Sequence, residues 1–405
     1  MNDFDTEKIR EDFPILKKKI NGKQLIYFDN AATTQKPTEV IDGIKYFYEN
    51  LNANPLRSIH TLAEESTKAY TEAKEKIARF INADSPDEII FTKNTTESIN
   101  LVSFSLPFRP GDRIATTMME HHSNILPWLR LKPHGVNVDI VDTDENLELD
   151  YSYYEKLPND IKLVTVTHES NVSGTINDVE RISKLAHEKG ALVLVDGAQS
   201  VPHMKVDVKR MDCDFLAFSG HKMLGPTGIG VLYIRGGIAR GMNPFLTGGE
   251  MIKSVRLNNV IYADPPALFE AGTQNVEGAY GLGLAIDYLN KVGMDSIERH
   301  EKELTEYALK KLSQLDNIEI YSGKSRKFGA IISFSVKGLH PHDVAYLLDR
   351  EGIAVRSGFH CAQPFIEQKL KQHGTARASF YLYNTREEID RFADALKSIN
   401  KREKL

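Results

Sequence analysis

The chain has 405 residues, enough for two or three domains at roughly 150 residues each and for a core that needs no disulfide or metal staple. Its composition, 41% apolar and 26% charged with a net charge of −5, excludes a disordered or low-complexity protein and lacks the basic excess of a general nucleic-acid binder. No apolar run reaches the ~18 residues of a membrane span, and the N-terminus MNDFDTEKIREDF has no apolar h-region. Two cysteines, Cys213 and Cys361, are too few for a disulfide framework or a Cys-rich metal site. The expectation is a cytoplasmic protein that binds neither nucleic acid nor membrane.

Taken in chain order, an amphipathic helix is predicted over 61–82, and a second begins at NTTES (94–98) after the strand EIIFT. Buried strands follow at LVTVTH (163–168), ALVLVD (191–196), FLAF (215–218) and GVLYI (230–234). Between the first two lies a helix over 178–189, opened by Asp178 and closed by Gly190. Strand–helix–strand alternation predicts a mostly parallel sheet with helices on both faces. After about Gly293 the character changes to a long polar helix (294–314), the short strands IEIY and AIISFSV, and helices at 342–351 and 385–400. The predicted organisation is an N-terminal segment (1–20) packing with a small domain, a large domain (21–290), and a small C-terminal α+β domain (291–405).

Several of these elements carry chemistry. Lys222, in SGHKMLGPTGIG after the strand FLAFSG, falls at the carboxyl edge of the sheet, where ligands of open α/β sheets bind. Ser219 and His221 beside it offer phosphate donors, although an arbitrary lysine in a glycine-rich turn is usually a surface group. Asp196 ends the strand before and is followed by Gln199. A strand-end Asp often caps a helix, but beside Lys222 it matches the acidic partner of a pyridoxal ring. Thr95 and Thr96 open a helix whose free N–H groups favour a phosphate, or serve merely as caps. In EHHSN (120–124) one of two adjacent histidines is placed to lie flat on an aromatic cofactor; with no third ligand nearby a metal is not expected. Cys361, in RSGFHCAQP with Arg356 and His360, has cationic neighbours on a flexible loop, as suits a nucleophile. Cys213, in DCDFLAF, reads as packing. Arg377 could grip a carboxylate with both arms of its guanidinium, or make a surface ion pair.

The segments YFDNAAT, NTTESIN, EHHSNILPW, THESNVSGT, LVDGAQS, SGHKMLGPTGIG, FEAGTQN, RSGFHCAQP and RASFYLYNT together resemble group II (SufS-like) cysteine desulfurases. These belong to the class-V aminotransferase branch of fold-type I pyridoxal phosphate enzymes. The resemblance runs from about Phe28 to the C-terminal helix. It implies a large domain with a mostly parallel seven-stranded sheet and a smaller α+β domain carrying the Cys361 loop. It also implies pyridoxal 5'-phosphate as cofactor: Lys222 forms the Schiff base, Asp196 pairs with the pyridine nitrogen, His121 stacks on the ring and Gln199 bonds the phenolic oxygen. Thr95, Thr96, Ser219 and His221 would hold the phosphate, completed by Thr273 from a second subunit of a homodimer. Asn171 and Arg377 would bind the substrate carboxylate, with His60 and Arg356 close by. Phe359 departs from the pattern, many relatives having His there. The activity implied is conversion of L-cysteine to L-alanine with a persulfide on Cys361. Sulfur would then pass to a SufE-like, SufU-like or scaffold protein or a small thiol, for iron–sulfur cluster assembly or related transfer. The alternatives in view are a selenocysteine lyase or cysteine-sulfinate desulfinase on the same site, and a non-catalytic scaffold that keeps the fold.

Overall fold

The computed structural model describes residues 4–56 and 58–402, the last three without their side chains. Its centre is a seven-stranded sheet. In chain order the strands are β1 (Ile89–Thr92), β2 (Arg113–Thr117), β3 (Asn137–Val141), β4 (Ile161–Thr167), β5 (Leu192–Asp196), β6 (Phe215–Ser219) and β7 (Gly230–Ile234). They lie side by side in the order β1-β7-β6-β5-β4-β2-β3. Only β7 runs against its neighbours; every other pairing is parallel. This is the mostly parallel α/β sheet that the alternation predicts.

The strands are apolar throughout because both faces are covered. Along β6, Leu216 and Phe218 enter one core while Phe215 and Ala217 enter another, the period of two that a strand imposes. Helices α1 (Thr61–Phe80), α3 (Val179–His187) and α4 (Val276–Val292) cover the first face, and α2 (Thr95–Ser105) covers the second. Helix α1 stops at Phe80, two residues short of its predicted end, where Asn82 takes a left-handed turn (φ +58°). Helix α3 matches its cap chemistry: the Asp178 carboxylate accepts the Arg181 N–H at 3.2 Å, and Gly190 adopts φ +72°.

The smaller α+β part has a four-stranded antiparallel sheet formed by β8 (Ile318–Ile320), β9 (Ile331–Val336), β10 (Arg356–Gly358) and β11 (Thr375–Ser379), in the order β8-β9-β11-β10. Helices α5 (Met294–Leu312) and α6 (Arg386–Arg402) pack on it through Leu304, Ala308, Phe392 and Leu396. The N-terminal segment stitches this part to the rest. Phe13 wedges edge-on between Tyr288 of α4 and Tyr383. Ile26–Tyr27 pairs with Ile353–Ala354, and Phe28 enters the smaller core against Phe380 and Phe392. No described helix is long and apolar enough to cross a membrane.

Candidate active site

The carboxyl ends of β1, β2, β4, β5 and β6 open into one cavity of about 200 Å³, whose far wall comes from β10, β11 and the loop between them. At the sheet edge Asp196 ends β5 and Lys222 follows β6 by one short turn. Asp196 is buried and Lys222 half-buried. Burial lowers the Lys222 amine from 10.5 to about 8, with Asp196 resisting the shift. Burial likewise raises the Asp196 carboxyl, against the pull of the Ala198 N–H and Lys222. The peptide preceding Lys222 is gripped from a distance: the His221 carbonyl accepts from the Thr34 N–H (3.1 Å), the Thr33 hydroxyl (3.1 Å) and the Lys36 ammonium (2.8 Å).

Next to this pair, four hydroxyls gather at the N-terminus of α2. Ser219 Oγ accepts the Thr95 N–H (2.8 Å) and bonds the Thr95 hydroxyl (2.7 Å), while Thr96 and Ser123 share a hydroxyl–hydroxyl bond (2.7 Å). The helix end comes this close because Gly230 lies between Thr92 and Ser219 in the sheet. A Cβ there would fall 2.5 Å from Asn94 Cα. His121 joins the same network, its Nδ1 accepting the Ser123 N–H at 3.1 Å, which leaves the proton of the neutral ring on Nε2. Burial, then the Lys222 charge, depress this imidazole to about 3.

On the opposite wall Arg356 and Arg377 face each other across β10 and β11, a like-charge pair that costs stability on its own. Arg377 is fully buried; it donates to the Asn171 carbonyl (2.7 Å), approaches Asp29 (3.6 Å) and keeps its Nε–H without a protein partner. Burial lowers its guanidinium to about 10, against the opposing Asp29 charge. Two adjacent guanidinium groups and an unsatisfied N–H form a receptor for a carboxylate. The Asn171 amide is engaged otherwise, donating to the His360 carbonyl at 2.7 Å and so holding the loop of half-buried Cys361. Cys361 lies within electrostatic reach of both Lys222 and Arg377.

Of the residues singled out from sequence, twelve line this one cavity: Thr95, Thr96, His121, Asn171, Asp196, Gln199, Ser219, His221, Lys222, Arg356, Cys361 and Arg377. His60 and Thr273 do not. His60 caps α1 through the Ala63 N–H, and Thr273 is exposed in a separate groove. Cys213 is buried, its thiol pushed up to about 12 by burial. Asp29, Thr33, Thr34, Lys36 and Ser123 are the contributors that sequence reasoning passed over. Ser123 stands within EHHSN and Thr33 within YFDNAAT, but nothing local marks Lys36.

The sheet edge, with a half-buried lysine of depressed basicity beside a buried aspartate and a hydroxyl-lined helix end, defines a pyridoxal-phosphate-dependent enzyme of fold type I. Residues 26–392 match the Aminotransferase class-V family, and the chain belongs to it, within its cysteine desulfurase branch. A relative from Halalkalibacterium halodurans, named probable cysteine desulfurase, is 47% identical over 398 residues, 97% of each chain. The structure of a cysteine desulfurase from Thermococcus onnurineus superposes with a TM-score of 0.93 at 43% identity over 98% of each chain. An Escherichia coli cysteine desulfurase, solved as its S-sulfonic acid, gives 0.91 at 34% identity over 99% of each. The family's cofactor is pyridoxal phosphate, and the cavity fits it. Gln199 donates to the Ala31 carbonyl (2.8 Å), but its Oε1 is buried with no protein partner. That orphaned acceptor, a low-pKa lysine and a hydroxyl cluster at a helix end answer the ring hydroxyl, aldehyde and phosphate of one ligand.

Proposed function

We propose that the protein is a pyridoxal-phosphate-dependent cysteine desulfurase that converts L-cysteine to L-alanine and takes the sulfur as a persulfide on Cys361. The observation that carries this reading is the meeting, in one cavity, of the Lys222–Asp196 pair, the Arg356–Arg377 pair and the Cys361 thiol. The exchange balances without an external oxidant: cysteine and a thiol become alanine and a persulfide.

Lys222, Asp196, Gln199, His121 and the hydroxyls of Thr95, Thr96 and Ser219, with His221, would hold the cofactor. When bound, pyridoxal phosphate supplies the electron sink that lets bonds around the amino-acid Cα and Cβ break. Asp196 would hold, as a carboxylate, the cofactor's ring nitrogen in its cationic form, a partner that would offset the cost of burying its charge. Lys222 holds and returns a proton at Nζ; an amine near 8 exchanges protons at neutral pH more readily than an ordinary lysine. Arg377 and Arg356 clamp the substrate carboxylate, which fixes the thiol end of cysteine towards the Cys361 loop. Cys361 Sγ takes the substrate sulfur while the Cβ–S bond breaks, and Cβ gains a proton to become the alanine methyl. The neutral His121 ring adds a proton at Nε2 without adding charge.

Finer statements belong to the same proposal. The protein works as a homodimer in which Thr273 completes the phosphate site of the other subunit. In support, Thr273 is exposed away from its own cavity, and the hairpin Ile252–Arg256/Asn259–Tyr262 exposes Val255, Leu257 and Val260 in the apolar manner of a contact surface. The persulfide passes in the cytoplasm to a SufE-like or SufU-like protein, a scaffold or a small thiol, as a SufS-type supply for iron–sulfur clusters. The test is sulfide and alanine release from L-cysteine with reductant present. Equal amounts of both, lost in Cys361→Ala, support the reading; equal activity in that variant would redirect it to selenocysteine or cysteine sulfinate.

A further inference from the structure

His121 has its place against the cofactor, but the second histidine of the pair has no part in that chemistry. His122 begins a short turn (His122–Asn124) and is half-buried beside the cavity-lining His121. Its backbone N–H donates to the Cys361 carbonyl at 2.6 Å, and its ring Nε2 accepts the Gln363 N–H at 3.0 Å. Both bonds hold the backbone immediately after the nucleophile. On the inner side Asn171 holds the His360 carbonyl, and the His360 ring bonds the Thr375 hydroxyl at 2.8 Å.

This loop needs holding. His360 (φ +51°) and Cys361 (φ +57°) are consecutive residues in the left-handed region, which residues with a Cβ seldom occupy and rarely in succession. Asn171, His360 and Thr375 are buried, so their contacts are shielded from water. The His122–Gln363 bond is the outer one, with Gln363 exposed and the ring partly so. An outer bond is the first that solvent or an arriving acceptor can replace.

We propose that the His122 ring is the latch of the Cys361 loop, a positioning residue whose Nε2 holds the Gln363 N–H so that the thiol faces the cavity. Its release lets the loop relax from left-handed backbone and present a sulfur-loaded Cys361 outward. The inference rests on Cys361 being the sulfur acceptor, but the latch itself is read without turnover.

The experiment measures alkylation of Cys361 by iodoacetamide in the holoenzyme, followed by peptide mass spectrometry; buried Cys213 does not compete. Losing one net hydrogen bond shifts an open–closed balance by about fivefold. His122→Phe is therefore expected to alkylate about fivefold faster, with alanine kcat only slightly lowered because the closed loop still predominates, and with KM and the cofactor absorption unchanged. His122→Gln, which restores an acceptor near the Nε2 position, returns the alkylation rate to within about twofold of the parent. Gln363→Pro removes the donor at the start of a helical turn, where proline is tolerated. It should reproduce the acceleration, and the double variant His122→Phe/Gln363→Pro should be no faster than either single one. An unchanged alkylation rate in either single variant, multiplying effects in the double variant, or His122→Gln behaving as His122→Phe would overturn the latch. Should His122→Phe fail to fold, Gln363→Pro decides alone. If the alkylation pattern holds but cysteine is not desulfurated, the latch stands and the catalytic reading falls.

Discussion

The two walls of the cavity are built on opposite plans. Lys222 stands at the edge of a buried sheet, its preceding carbonyl gripped by Thr33, Thr34 and Lys36 and its aspartate fixed one strand away. Cys361 hangs on a loop between two strands of the smaller sheet, in left-handed backbone, held by single hydrogen bonds from the larger part. The difference follows from the work required. A cofactor site gains from preorganisation, since any slack is lost from binding and orientation, whereas a sulfur carrier must first reach the substrate and then reach an acceptor outside.

The largest effects should come from removing either wall's reactive atom. Lys222→Ala and Cys361→Ala should each lower desulfuration at least about 10³-fold, but only Lys222→Ala should lose the yellow protein-linked chromophore. A Cys361→Ala protein without colour would mean that the walls are not independent. Next comes the substrate clamp. Arg377→Lys keeps a charge but not the fork, and KM for cysteine should rise about 10- to 100-fold, with cofactor absorption unchanged; a loss confined to kcat would place Arg377 elsewhere in the reaction. Gly230→Ala tests the sheet-edge wall alone, because a methyl 2.5 Å from Asn94 Cα must push the α2 N-terminus off the sheet. Such overpacking costs about 1–3 kcal/mol and should appear in equilibrium dialysis as about tenfold weaker cofactor affinity. Unchanged affinity would remove the helix end from the phosphate site.

The smallest effect is one of pH. Burial places the Lys222 amine near 8, so the neutral, nucleophilic form prevails above that value and the charged form below it. Cofactor uptake by apoprotein, followed by absorbance, should therefore quicken as pH rises through about 8 and level off. A rate still climbing beyond 10 would contradict the burial argument, since that is how an ordinary lysine behaves.

The sheet-edge wall was far more legible in the sequence than the loop wall. Apolar runs ending in Asp196 and in the turn of Lys222 advertise a sheet edge, and a Thr-rich helix start advertises an anion site. Periodicity and end signals are local, and so are these features. What escaped depends on contacts distant in the chain. Lys36 reaches the His221 carbonyl across 185 residues, and Gln363 reaches the His122 ring across 241. Lys36 carries no local mark, and Gln363, although it stands within RSGFHCAQP, has nothing local that points to His122. Asp29 stands within YFDNAAT, but its place beside Arg377 comes only from the pairing of residues 26–29 with the smaller part. Asn171 was legible as a site residue, but its amide holds the Cys361 loop, a partner no spacing rule could supply.

The central claim is that Cys361 itself carries the sulfur. Its most direct test is to mix the holoenzyme with L-cysteine without reductant, trap thiols by alkylation and weigh the peptide containing residue 361. The account predicts that this peptide gains one sulfur atom, in step with alanine formed, and that the peptide containing Cys213 does not. Alanine formed with no added sulfur on Cys361, or formed equally by Cys361→Ala, would contradict it.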